Sequence, residues 1–279
     1  MLLWNTHNPF RSCLIFDDGH CILWDYQEST HYLESNYLYV DEVRTGASMF
    51  YFAKGDNVKS AAEDFSHQVS QSFEKKRKNN KRLAIDKIML DGFKSLESRD
   101  FKIENGEKIM EHARSIKSAE EIKAMRCSIS ACETSIHVME KETKPGMTEN
   151  DIWSILHSEN IKRGGEWIET RLLSSGTKTN PWFQECGSRI LQNNEIVAFD
   201  TDLVGCYSMC TDISRTWWIG DQEPTKEMKQ DYQIALEHIQ KNAELVAPGV
   251  HFKDLTFKGH QLDALYKKQQ YSCRFHGVG

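Results

Sequence analysis

A chain of 279 residues with 39% hydrophobic and 10% aromatic residues and only 5 prolines has the make-up of packed domains, one large or two ordinary, and not of a disordered or fibrous protein. Its net charge of -6 disfavours general affinity for nucleic acid or anionic membrane, and no apolar run approaches the about 20 residues of a spanning helix. The start "MLLWNTHNPF" lacks the charged head and apolar run of a signal peptide, so a cytoplasmic setting is expected. The 8 cysteines show no framework spacing and read as reduced, mostly buried thiols.

The first part reads as a small α/β domain. "CLIFDDGHCILWDY" (13–26) places two apolar runs around Asp18-Gly19, a dipeptide suited to a tight hairpin. "SMFYFA" (48–53) and "RLAIDKIML" (82–90) read as further strands with an amphipathic helix between them. The basic run "KKRKNNKR" (75–82) reads as a solvated helix end and loop in an acidic protein.

A boundary is expected near 112–118, dividing the chain into 1–111 and 112–279. "SAEE" (118–121) is a capping box, and behind it Ile122, Met125, Ile129, Cys132, Ile136 and Met139 recur at helical spacing. "KPGMTENDI" then ends that helix and opens another, which Gly164-Gly165 closes. Strands are expected around "RLLSSG" (171–176), "EIVAFDTDLV" (195–204) and "DISRTWWIG" (212–220), with a helix from Thr225 to Val246. "PGMTENDI" (145–152) and "PGVHFKDL" (248–255) share Pro-Gly, an apolar residue and a later acid, as two similar helix-turn-helix units would.

The strand-like stretch "FDTDLVGCYSMCTDISRT" holds three acids. Alternation along a strand puts Asp200 and Asp202 on one face, and Asp212, opening the next strand, can come opposite them. Burying unpaired carboxylates together is costly, so a multivalent cation is expected there. His276 in "FHGVG" is the candidate nitrogen ligand, which shifts the choice from Mg or Ca toward Fe, Mn, Co or Zn. Solvent-facing strand acids and an ordinary loop histidine are the alternatives.

The order "SAEEI", "PGMTE", "SSG", "FDTDLVGCYSMCTDISRTW", "PGV" and "FHGVG" closely resembles the creatinase/prolidase/methionine aminopeptidase family. The resemblance implies an α/β (α+β) chain with a pita-bread catalytic domain at 112–279 and a smaller creatinase-like domain before it. It also implies a metal site of aspartates, a histidine and two glutamates. The glutamates would follow Gly279, so the chain looks truncated. The family's peptidases space their aspartates at an interval between the twelve residues from Asp200 to Asp212 and the ten from Asp202 to Asp212. They also usually carry a histidine soon after the "SG" strand, whereas "SSGTKTNPWFQECG" (174–187) has none. Both departures look like the DddP-type dimethylsulfoniopropionate lyases. That resemblance implies Asp200, Asp202, Asp212 and His276 as metal ligands, with iron first and manganese, zinc or cobalt next.

The same resemblance implies a carbon–sulfur lyase acting on a small zwitterion, with a base beyond Gly279 taking the α proton as dimethyl sulfide leaves. Trp182 is the first choice for an aromatic wall against the sulfonium, and Tyr271 for orienting substrate or assisting proton transfer. Trp182 as a packing anchor and Tyr271 as a surface residue are the plainer readings. A homodimer is likewise implied by the resemblance alone. A peptidase- or creatinase-like hydrolase and a non-catalytic pita-bread binding protein are the competing functions.

Overall fold

A computed structural model of the chain describes residues 11–25, 39–77 and 80–278. The opening "MLLWNTHNPF", Tyr26 of the first hairpin, Lys78 and Asn79 of the basic run, and Gly279 lie outside the described residues. The chain divides into two compact units, Met1–Ile116 and Lys117–Gly279.

In the first unit, β1 (Ser12–Ile15) and β2 (Cys21–Asp25) form the expected antiparallel hairpin, and Gly19 takes the positive φ of 86° that the turn needs. The third strand is β3 (Glu42–Thr45), parallel to β2, rather than the aromatic run 48–53. That run becomes a single helical turn, α1 (Tyr51–Lys54), with Tyr51 72% and Phe52 84% exposed. Its β-propensity finds no partner, because Glu42–Thr45 already occupies the open edge of β2. The predicted amphipathic helix is α2 (Val58–Lys76), burying Phe65, Val69 and Phe73 against Trp24, Leu96 and Phe101. The strand expected over 82–90 stops early. β4 (Arg82–Ile85) pairs in parallel with β5 (Lys102–Asn105), and Leu90 already opens α3 (Leu90–Glu97). The basic run is the solvated helix end it resembles, with Arg77 paired to Asp17 and Arg82 to Glu104. A short α4 (Glu107–Ser115) closes the unit.

The second unit opens with α5 (Ala119–Glu142), and both halves of the Ser118/Glu121 capping box form. Only the latter part of its apolar stripe is core. Cys132, Ile136 and Met139 are buried, but Ile122 and Ile129 stay 44% and 37% exposed, and small Ser128, Ala131 and Ser135 fill the closest approach instead. α6 (Glu149–Lys162) packs along α5, opened by a second capping box between Thr148 and Asp151. Gly146 and Gly249, in the two echoing Pro-Gly turns, share a positive φ of 92° and 85°.

Two three-stranded antiparallel sheets follow. β7 (Leu173–Ser175), β8 (Glu195–Phe199) and β11 (Arg215–Ile219) form one, in the order β11-β8-β7. β6 (Trp167–Ile168), β9 (Asp202–Val204) and β10 (Cys210–Asp212) form the other, in the order β10-β9-β6. The run 195–204 is therefore not one strand, since it changes sheets across Asp200 and Thr201. Asp212 ends β10 rather than opening the next strand. Leu156, Leu173, Val197, Phe199 and Leu203 form the core beneath both sheets, and Trp217 packs on Phe199 at its edge. α7 (Lys226–Ala243), α8 (Phe252–Lys258) and α9 (Ala264–Lys267) complete the unit, α7 capped by Thr225. No helix among the described residues is long and apolar enough to cross a membrane.

Candidate metal centre

The β9–β10 hairpin sets Asp202 directly opposite Asp212 in an antiparallel register that continues through Leu203↔Thr211 and Val204↔Cys210. Cross-strand partners on one face stand ~4.5–5.5 Å apart at Cβ. Asp200 reaches the same place from outside the ladder. Its N–H donates to the Leu172 carbonyl at 2.9 Å, and its carboxylate lies near enough to that of Asp212 to raise the latter's proton affinity. The acids thus converge, but strand pairing brings them together, not alternation along a single strand.

Each acid is held by a neighbour. Asp200 Oδ1 accepts from the Ser214 hydroxyl at 2.8 Å and from the Thr201 N–H at 3.0 Å. Asp202 Oδ2 accepts from the Thr170 hydroxyl at 3.0 Å. His276 brings Nε2 to 3.2 Å from Asp212 Oδ2, with its side chain 52% exposed. Burial, with the charges of Asp200 and Asp202 beside it, pushes the Asp212 carboxyl up to about 6.

This crowding is the physical test of a metal. Carboxylates facing each other raise a proton affinity that a cation at the same place would lower. On His276, Nδ1 lies 3.3 Å from the Gly277 carbonyl. A proton on Nδ1 would leave Nε2 and the Asp212 carboxylate as two acceptors face to face, with room in charge for a cation. The donor set of oxygens and one imidazole suits a divalent transition metal. Among the described residues, however, no three His, Cys, Asp or Glu side chains are already gathered around one point.

The aromatic residues form a separate cluster. Trp182 and Phe183 lie 6.4 Å apart between ring centres, and Phe183 lies 5.6 Å from Tyr271. Phe183 thus links the two aromatic residues that the sequence singles out. Phe183 and Tyr271 are 58% and 59% exposed, leaving their faces open to a ligand. Sequence reasoning passed over Phe183, though it stands beside Trp182 in "NPWFQECG". It also passed over Thr170 and Ser214, which no local pattern marks.

Metallopeptidase family M24 matches residues 123–279. Across the whole chain, the dimethylsulfoniopropionate lyase DddP of Roseobacter denitrificans is 52% identical and that of Roseovarius nubinhibens 51%. The chain spans 63% and 64% of the length of these two relatives. Among solved structures, a prolidase from Pyrococcus horikoshii superposes with a TM-score of 0.68 at 18% identity, over 85% of this chain and 62% of that one. An X-Pro aminopeptidase from Thermotoga maritima gives 0.67 at 20% identity, over 85% and 62%. These likenesses carry the pita-bread fold, and the family model, that of a metallopeptidase, implies a divalent metal cofactor.

Proposed function

The chain belongs to metallopeptidase family M24, and from that footing we propose that it is a metal-dependent carbon–sulfur lyase cleaving dimethylsulfoniopropionate to dimethyl sulfide and acrylate. The observation that carries the reading is the 52% identity to a named lyase across the entire chain. The segment 174–187, which has tryptophan and no histidine, also argues against amide hydrolysis.

In the reaction a base takes the proton from the carbon α to the carboxylate, and the electron pair of that C–H bond forms the C=C bond. The β C–S bond breaks, and the sulfonium leaves as neutral dimethyl sulfide. Asp200, Asp202, Asp212 and His276 are the proposed metal ligands. The ion they hold, iron first and otherwise manganese, zinc or cobalt, would supply Lewis-acid stabilisation to the substrate carboxylate as negative charge develops there. Thr170 and Ser214 orient two of the four side chains through their hydroxyls. Trp182 and Phe183 offer π faces to the sulfonium, worth ~0.5–2 kcal/mol once water is excluded. Tyr271, tilted against Phe183, orients the substrate or assists proton transfer from its hydroxyl. Residues 112–279 form the metal-binding domain in this reading, behind a creatinase-like domain at 1–111, in a cytoplasmic homodimer.

The test is headspace dimethyl sulfide from the full-length, metal-loaded protein given dimethylsulfoniopropionate. Release of equimolar dimethyl sulfide and acrylate is expected. No release from protein that carries its metal would overturn the proposal, and cleavage of Xaa-Pro peptides would move it to the hydrolases.

A further inference from the structure

One buried carboxylate ties together the base of the segment that carries Trp182 and Phe183. Glu149, in the first turn of α6, is 0% exposed. Its Oε1 accepts from the Ser175 N–H at 3.0 Å and the Ser175 hydroxyl at 2.8 Å. Its Oε2 accepts from the Gly187 N–H at 3.1 Å and the Lys178 ammonium at 2.7 Å. Ser175 and Gly187 bracket the segment, and Lys178 lies within it. The first turn of α6 fixes the far end further, since the Asn150 N–H donates to the Gly187 carbonyl at 3.0 Å. Arg189, bidentate to Glu195 at 2.6 Å, adds a hydrogen bond to the Ser175 hydroxyl.

The contacts continue to the tip. Gln184 Nε2 donates to the carbonyls of Lys178 at 3.1 Å and Pro181 at 2.9 Å, so the turn at 181–183 hangs on Lys178, and Lys178 on Glu149. Phe183 needs that support. Its φ of 70° lies in the left-handed region, which a bulky side chain occupies only where its surroundings over-determine it. A buried ion pair is a poor device for stability alone, because well-packed apolar groups of equal volume do as well or better. What four directed hydrogen bonds provide is a fixed geometry.

We infer that Glu149 is a positioning residue for substrate binding: it fixes the aromatic tip, Trp182 and Phe183, against Tyr271 and so sets the fit for a compact onium group. This rests on the proposed role of those aromatic residues in meeting the sulfonium.

Glu149→Gln and Lys178→Gln in the full-length, metal-loaded protein test it, with Glu149→Gln/Lys178→Gln as the rescue. Each single variant should raise KM for dimethylsulfoniopropionate about tenfold, ~1.4 kcal/mol, with bound metal unchanged and kcat within about a factor of two. The double variant, in which no lone charge remains, should recover part of that loss. Backbone amide exchange should quicken within 176–187 and not elsewhere in the unit. A purely structural role would lower thermal stability and the active fraction with KM unmoved, and that result overturns the inference. If Glu149→Gln does not fold, Lys178→Gln decides by the same readouts, since Lys178 is 30% exposed. If the unaltered protein releases no dimethyl sulfide, the lyase reading fails separately. Exchange then still decides the anchoring: quickening confined to 176–187 supports it, and unchanged exchange overturns it.

Discussion

Replacing Gly205 by alanine should damage the second unit out of proportion to one methyl group. Gly205 starts the connection between β9 and β10 with φ −90° and ψ −155°, values alanine adopts freely, so the backbone conformation is not the obstacle. The obstacle is α5. A Cβ on residue 205 would lie 1.8 Å from Ser128 Oγ, 2.9 Å from Ser128 Cβ and 3.2 Å from Ser128 Cα. Rotating the hydroxyl away removes the first contact but breaks its 2.7 Å hydrogen bond to the Met209 carbonyl, in a side chain that is 0% exposed. Losing a buried hydrogen bond costs ~1–3 kcal/mol. The remaining overlap with helix backbone adds ~1–3 kcal/mol of overpacking, and the stiffer unfolded chain returns ~0.4–1 kcal/mol. The net expectation is ~2–4 kcal/mol, a fall in Tm of about 5–15 °C for a unit of this size. Thermal and urea denaturation of Gly205→Ala, Ser128→Gly and the double variant form a closed cycle. Ser128→Gly carries its own cost, ~0.5 kcal/mol of helix propensity and the ~1–3 kcal/mol of the same lost hydrogen bond to the Met209 carbonyl. In its background Gly205→Ala should cost under ~1 kcal/mol, a coupling of at least ~1 kcal/mol. Equal costs for Gly205→Ala in both backgrounds would mean that Ser128 is not what excludes a side chain at 205. Because this connection sets Asp202 against Asp212, metal affinity should fall with stability in the single variant and return in the double.

Asp212→Ala should abolish most bound metal by elemental analysis, whereas unchanged metal content would remove Asp212 from the site. Trp182→Ala and Phe183→Ala should each raise KM about 5- to 30-fold, from ~1–2 kcal/mol of lost onium contact, with metal content intact. An unchanged KM in both would detach the aromatic cluster from the substrate. Burial, then His260 and Arg274 nearby, hold His238 below its ordinary range. Its Nδ1 stands 3.0 Å from His260 Nδ1, and Lys241, itself paired with Glu237, lies 3.5 Å from His260 Nε2. A histidine depressed in the folded state binds fewer protons than in the unfolded chain, so its contribution is full above the unfolded pKa and is lost as pH falls through the folded one. The stability difference between the unaltered protein and His238→Gln should therefore shrink between pH 8 and pH 5, and a flat difference would count against it.

What the sequence made legible was local. The Ser118/Glu121 box, the Asp18-Gly19 turn and the Pro-Gly turns depend on residues within a few positions of one another, and the structure forms each of them. What it hid was partnership across distance. Nothing in "SMFYFA" announces that Glu42–Thr45 takes the sheet edge, and nothing near Glu149 announces Gly187 or Lys178. The acidic motif lies between these cases. Asp200 and Asp202 look like alternate residues of one strand, yet the chain leaves one sheet at Phe199 and joins another at Asp202. The ten-residue interval from Asp202 to Asp212 now has a geometric cause. Three paired positions, 202↔212, 203↔211 and 204↔210, enclose a five-residue connection, 205–209, that Gly205 presses against α5. A register shift of one residue would turn one acid to the opposite face of the sheet and leave the other without its counterpart. With a five-residue connection, the ten-residue spacing is thus what sets the two carboxylates directly across the hairpin. Like charges set directly opposite are unfavourable in a sheet unless something positive lies between them, so this hairpin is where a bound cation would relieve the pairing of Asp202 with Asp212.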